Sequence, residues 1–159
     1  KLTDPVGRAM VEDFFSAYMK EEAHGKPRLV EAKGETAFSD QKRKMISIIN
    51  LASVRDLERV LGKPIEPTRF RANIMIDGIE AWSEFNWIGK NVTCGSAGLI
   101  VEERTGRCPA INVNPMSGER DENLVKTLHE GFGHTDMGIF AKVTEAGTFA
   151  VDDTLNVTD

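Results

Sequence analysis

Between Met45 and Val157 the apolar residues of this chain arrive in short runs broken by glycine, proline or acidic turn residues, and this punctuation limits the fold most. Met45-Ile46-Ser47-Ile48-Ile49-Asn50, Ile74 to Asp77, Lys90 to Cys94, Leu99 to Glu103 and Gly138 to Thr144 are each too short for a packed helix. All are rich in branched side chains, which is strand composition. The Asp77-Gly78 pair closes one run, and Gly95-Ser96-Ala97-Gly98 joins two others as a hairpin. Ala110 to Asn114, Phe149 to Val151 and Leu155 to Val157 read as further strands.

Helical periodicity is confined to a few places. Asp4-Pro5 is a cap followed by proline at the first helical position, and Val6, Met10, Phe14 and Tyr18 recur every four residues up to about residue 24. Arg28 to Ala32 is read as a short strand, and Phe38-Ser39-Asp40 as part of a polar loop. Ser53 is expected to cap a second helix, with Asp56 in capping-box position and Gly62 and Pro64 ending it. Asp121 to Leu128 has room for two helical turns. The expected architecture is α+β: a mostly-β mixed barrel with two or three peripheral helices.

With 159 residues, one domain is expected. A net charge of −5 disfavours nucleic acid and anionic membrane as general partners, and no apolar run approaches the roughly 20 residues of a membrane helix. Two cysteines, Cys94 and Cys108, form neither a disulfide framework nor a zinc pattern, so a cytoplasmic protein is expected. The Asn-x-Thr sequons at Asn91 and Asn156 carry no weight without a leader.

Cys108 is the residue with the most chemical promise. It follows Arg104 and Arg107 and precedes Pro109. Adjacent guanidinium charge favours the thiolate, which is both the nucleophile and the soft metal ligand. A buried structural thiol is the competing reading, and it is the preferred one for Cys94. Arg69, Arg71 and Asn73, if extended, share one strand face and suit a phosphate or a polar heterocycle; a solvated face making ion pairs is the alternative. His129 and His134 are five apart with two glycines between, which defeats a helical zinc motif and suggests a glycine-rich loop. Trp82 and Trp87 either wall a pocket or pack on the barrel.

Taken together, Ser47 to Ser53, Arg69-Phe70-Arg71-Ala72-Asn73-Ile74, Arg107-Cys108, Asn114 to Asp121, Gly138-Ile139-Phe140 and Gly147 to Asp153 resemble the MOSC family, the domain at the C-terminus of molybdenum-cofactor sulfurases. The likeness covers Phe38 to Val157 and is nearer the amidoxime-reducing branch. It implies a mixed β-barrel and a molybdopterin cofactor whose metal or transferable sulfur is carried by Cys108. Arg71 and Asn73 would bind the pterin or its phosphate, with Ser53, Arg69, Arg107 and Phe140 beside them. The reaction would be two-electron reduction of a small N-hydroxylated substrate, fed by a separate electron-transfer protein. The alternative is a non-catalytic module that binds the cofactor or carries a persulfide.

Departures from the family pattern are Ala72 for proline, Thr105 for a first cysteine, Asn114 for aspartate and Phe140 for tyrosine. The Val-Lys and Gly-Asp-Arg elements of the family's reductases are not found. The chain is therefore expected to be the C-terminal portion of a longer protein or a short relative, with residues 1–37 leading into the matched core. Pyridoxal phosphate is not expected, because the resemblance assigns it to the sulfurases' separate aminotransferase-like domain.

Overall fold

The computed structural model describes residues 1–31, 34 and 43–158 and divides into two units, Lys1–Arg43 and Lys44–Asp159. In the first, helix α1 (Pro5–Met19) starts as the sequence predicts, with Asp4 accepting from the Val6 amide and proline opening the first turn. A 3-10 turn at Lys20–Glu22 ends it earlier than the periodicity suggests. Residues 28–31 are not a strand. Lys26 pairs with Asp13 at 2.7 Å and the Leu29 amide donates to Glu12 at 2.8 Å, so the chain returns beside the helix. Ala32 and the Phe38-Ser39-Asp40 loop lie outside the described residues.

The second unit is a curled, six-stranded half-barrel. Its strands are β1 (Ile46–Asn50), β2 (Ile74–Ile76), β3 (Asn91–Cys94), β4 (Ala97–Gly106), β5 (Asp136–Glu145) and β6 (Leu155–Thr158). Their order across the sheet is β2-β1-β5-β4-β3-β6. β1 and β2 run parallel, with helix α2 (Leu51–Leu61) in the crossover, and the other pairings are antiparallel. The α+β, mostly-β expectation holds, with three α-helices among the described residues.

Two apolar clusters hold this unit together. Ile48, Val92, Leu99, Val101, Ile139 and Ala141 pack on one side of the sheet with Phe85. Ile49 and Met137 meet α2 and helix α3 (Leu124–Phe132) through Val54, Leu57, Leu124 and Leu128. The β4–β5 register shifts three times, and Gly138 in β5 takes φ 77°. A Cβ there would lie 2.3 Å from the Ile48 carbonyl oxygen, so the two backbones approach only because the residue is glycine.

Several local expectations are corrected. Asn50, not Ser53, caps α2: its Oδ1 accepts from the Ala52 amide at 2.9 Å, while Ser53 is fully buried one turn on. Arg69 to Asn73 is not one extended face. Glu66 caps a 3-10 turn at Pro67–Phe70, Phe70 enters the core, and Arg71 takes a left-handed backbone (φ 50°, ψ 35°). Ala110 to Asn114 is likewise no strand, since Pro109 opens a 3-10 turn through Asn112. His129 and Glu130 stand in α3, which Gly133 closes, so that segment is not a loop. Phe149 to Val151 is irregular, held where Ser96 Oγ accepts from the Thr148 amide at 2.9 Å.

Candidate functional site

Strand β4 ends at Gly106, and the chain then turns over the edge of the sheet. The Arg107 amide donates to the Thr135 carbonyl at 2.9 Å, continuing the ladder by one bond. Its side chain folds back. Nη1 donates to the Phe70 carbonyl at 2.8 Å and Nε to the Met137 carbonyl at 2.8 Å, and Nη2 also reaches Met137. The guanidinium carbon lies 5.5 Å from the centre of the Phe70 ring. Burial lowers the Arg107 pKa to about 10, against the favourable charge of Cys108, so the side chain stays cationic at neutral pH.

This clamp fixes two short segments against each other. One carries Cys108, whose side chain is exposed two residues beyond the end of β4. The other carries Arg71, the residue after Phe70. Arg71 is exposed, donates its own amide to Thr68, and makes no side-chain hydrogen bond or ion pair with any described residue. A non-glycine residue in the left-handed region is uncommon and costs of order 1 kcal/mol, and Arg71 is one of four non-glycine residues with positive φ among those described.

The remaining candidates have partners. Arg69, 5% exposed in its side chain, makes a two-pronged bond to Asp121 at 2.7 and 2.8 Å, leaving its buried Nε without one. That ion pair holds Asp121 well below the usual carboxylate range, at about 2. Asn73 uses Oδ1 to accept from the Ser47 amide and hydroxyl, both at 2.9 Å, and its Nδ2 has no described partner. Ser53 donates to Glu84 at 2.8 Å and accepts from the Trp82 amide. Phe140, half-buried in β5, is paired in register with Ser47 and Glu103. The structure thus ties the segment of Cys108 to that of Arg71 through Arg107, and Asn73 to β1, while Arg69 and Ser53 serve internal pairs.

Three participants have no counterpart in the sequence reading. Glu84, fully buried, accepts from Asn50 Nδ2 at 2.9 Å as well as from Ser53. Its signal was a carboxylate set between Trp82 and Phe85. Asp121 ends the run from Asn114 with no sign in the sequence of what it binds, and it anchors both Arg69 and Asn114. The Met137 carbonyl, a backbone group, leaves no mark in a sequence. Trp82, partly buried, packs against both apolar clusters, its Nε1 donating to Asp56 at 2.8 Å. Cys94 is buried, and burial pushes its thiol upward. Among the described residues no cluster of three or more His, Cys, Asp or Glu side chains is placed to hold a metal ion, and no helix is long and apolar enough to cross a membrane.

The chain is 32% identical over 108 residues to the molybdenum cofactor sulfurase of Caenorhabditis elegans, covering 64% of this chain and 15% of that protein. It is 36% identical over 83 residues to the sulfurase of Drosophila pseudoobscura pseudoobscura, covering 51% and 10%. The chain thus spans about a seventh or less of the curated relatives it matches. Two solved structures share the fold: YiiM from Geobacillus stearothermophilus (TM-score 0.55, 15% identity, 72% of this chain and 54% of that one) and the YuaD protein from Bacillus subtilis (TM-score 0.58, 21% identity, 70% and 62%). The MOSC domain model matches residues 20–156, and the chain belongs to the MOSC domain family.

Proposed function

We propose that this protein binds the molybdenum cofactor, holding its metal or its transferable sulfur at Cys108. The single observation that carries this reading is the Arg107 clamp, which sets an exposed thiol and an unpartnered guanidinium on neighbouring segments. The donors left free fit the group: a soft sulfur suits molybdenum, and Arg71 with the Asn73 Nδ2 suits an anionic, heterocyclic ligand. Arg107 has three bonds to backbone carbonyls, so it orients this site and adds buried positive charge near the sulfur. The resemblance to sulfurases supports the cofactor assignment, because those relatives are named for it.

At its finest this reading makes the protein an oxidoreductase for small N-hydroxylated substrates, drawing electrons from a separate protein. The bound cofactor would supply the two-electron chemistry at molybdenum. The chain's own part is to hold Cys108 outward, to neutralise the cofactor's phosphate with Arg71, and to leave the thiol side open for substrate. A second reading is favoured by the exposure of Cys108: a module that carries sulfane sulfur as a persulfide and passes it to an acceptor. In either case Phe140 belongs to the proposed cofactor surroundings, while Arg69 and Ser53 would act only through the internal pairs they make with Asp121 and Glu84.

Metal analysis after anaerobic loading with molybdenum cofactor tests the proposal. Stoichiometric molybdenum retained by the wild type and lost in Cys108→Ala supports it, and amidoxime reduction with a chemical electron donor then selects the reductase. A trappable persulfide on Cys108 without reductase activity selects the carrier. Protein that retains neither molybdenum nor sulfane sulfur overturns both.

A further inference from the structure

Past the Gly133 cap, helix α3 and strand β5 are joined only by His134 and Thr135. The peptide unit that opens β5 faces two ways. Its oxygen, the Thr135 carbonyl, accepts from the Arg107 amide at 2.9 Å, and its nitrogen, the Asp136 amide, donates to His134 Nδ1 at 3.2 Å. A peptide unit is planar and stiff, so one bond cannot be re-aimed without disturbing the other. A single plane therefore connects the imidazole to the backbone of the residue before Cys108. The Met137 carbonyl, one unit further on, takes the Arg107 side chain.

The sheet explains why an imidazole is needed. Turned away from β4, the Asp136 amide would look to β1, but β1 pairs with β5 only from Ile139 onward. His134 supplies the acceptor that the ladder lacks at this point. Its ring is itself held: the centre lies 5.4 Å from that of Trp82 and 5.5 Å from that of Phe85, both edge-on, and 6.2 Å from that of Phe132, which is stacked. The charged groups on the surrounding elements are placed as follows. From β4, Arg104 lies 4.3 Å over the Phe85 ring, with Nη1 4.0 Å from the Asp136 carboxylate. From α2, Asp56 accepts from Trp82 Nε1 and from Arg59. Glu84, next to Phe85, accepts from Asn50 and Ser53. From α3, Glu130 pairs with Lys126, beside the exposed His129.

We infer that His134 is a positioning residue for Cys108: its neutral imidazole fixes the 135–136 peptide and with it the backbone of Arg107, and its protonation releases that backbone. A protonated imidazole carries a donor on each nitrogen, so Nδ1–H would face the Asp136 N–H and their bond is lost. Three aromatic rings confine the imidazole, and the peptide is the part that yields. The inference rests on the proposed function for the purpose of Cys108, but its test needs no cofactor, so failure here and failure of molybdenum loading are separate results.

Nuclear magnetic resonance on the whole cofactor-free chain supplies the test, with His24 and His129 as internal controls. Histidine side chains ordinarily change charge between about pH 5 and pH 8, which sets the range. At about pH 8 the His134 ring is expected with Nδ1 bare and its proton on Nε2. Towards the acid end, exchange protection of the Arg107 and Asp136 amides should fall about fivefold, the effect of losing one ordinary hydrogen bond, with the midpoint of the His134 ring. A fluorine tag on the exposed Cys108 should shift at that same midpoint. His134→Asn keeps a side-chain acceptor with nothing to titrate and should hold the protection throughout, whereas His134→Leu should lack it throughout. A proton on Nδ1 at the upper end, protection that ignores the His134 midpoint, a tag that does not shift, or equal loss in the asparagine and leucine variants would each overturn the inference.

Discussion

The Arg107 guanidinium donates to the Phe70 carbonyl 2.8 Å away, joining segments 37 residues apart in the chain. Its other bonds go to the Met137 carbonyl, so one side chain ties the end of β4, the approach to β2 and the start of β5. Arg107→Met should destabilise the protein by about 3 kcal/mol or more, since charge-assisted bonds to carbonyls contribute roughly 1.5–3 kcal/mol each. Arg107→Lys should recover less than half of that, because an ammonium lacks the planar fork that reaches two acceptors. Urea unfolding of the three proteins checks both; equal stability of the lysine variant and the wild type would refute the clamp.

Glu84 is a buried carboxylate whose bonds come from Asn50 and Ser53. Glu84→Ala leaves both donors facing an apolar interior, and a loss of about 2–4 kcal/mol is expected. Glu84→Gln keeps an acceptor for Ser53 and should cost less. The order of the two denaturation midpoints is the measurement.

Asp121 has its pKa lowered from 3.8 to about 2, first by the hydrogen bonds from Arg69 and then by its other neighbours, against desolvation. A depressed carboxylate contributes stability that is complete above its unfolded value and lost as pH falls through its folded value. Stability should therefore decline between about pH 4 and pH 2 in the wild type, and this part of the decline should be absent in Asp121→Asn. Unfolding curves across that range decide it.

Gly138 meets the Ile48 carbonyl with a left-handed backbone. Gly138→Ala should cost at least about 2 kcal/mol, from conformational strain together with the contact of the new Cβ. A thermal melt within a degree of wild type would contradict the close approach.

Much of this fold is legible because its signals are local. The run Ile46–Asn50, the hairpin around Gly95 and Ser96, and the long strand through Ile139 and Ala141 all carry composition and turn residues that settle them without neighbours. The surroundings of Arg69 are less legible. Alternation suggested a strand, but Pro67 and the Glu66 cap made a turn, and the deciding partner, Asp121, lies 52 positions away. Asn50 and Ser53 both suit a helix start, and the choice between them rests on Glu84, which claims the Ser53 hydroxyl from a distance of 31 residues. The chemical signal of Cys108 comes from its own neighbours, Arg107 and Pro109, whereas the carbonyls that orient Arg107 have no side-chain signature.

Ala72 follows the left-handed Arg71, at the position where the resembling element has proline. A proline there would crowd the preceding residue and drive it to an extended backbone. The heading of the Arg71 side chain is thus a switchable property of its successor: a lone pyrrolidine ring would re-aim the guanidinium without touching it. Ala72 has no described amide partner to forfeit in the exchange, so ancestry and aim can be separated at this one bond.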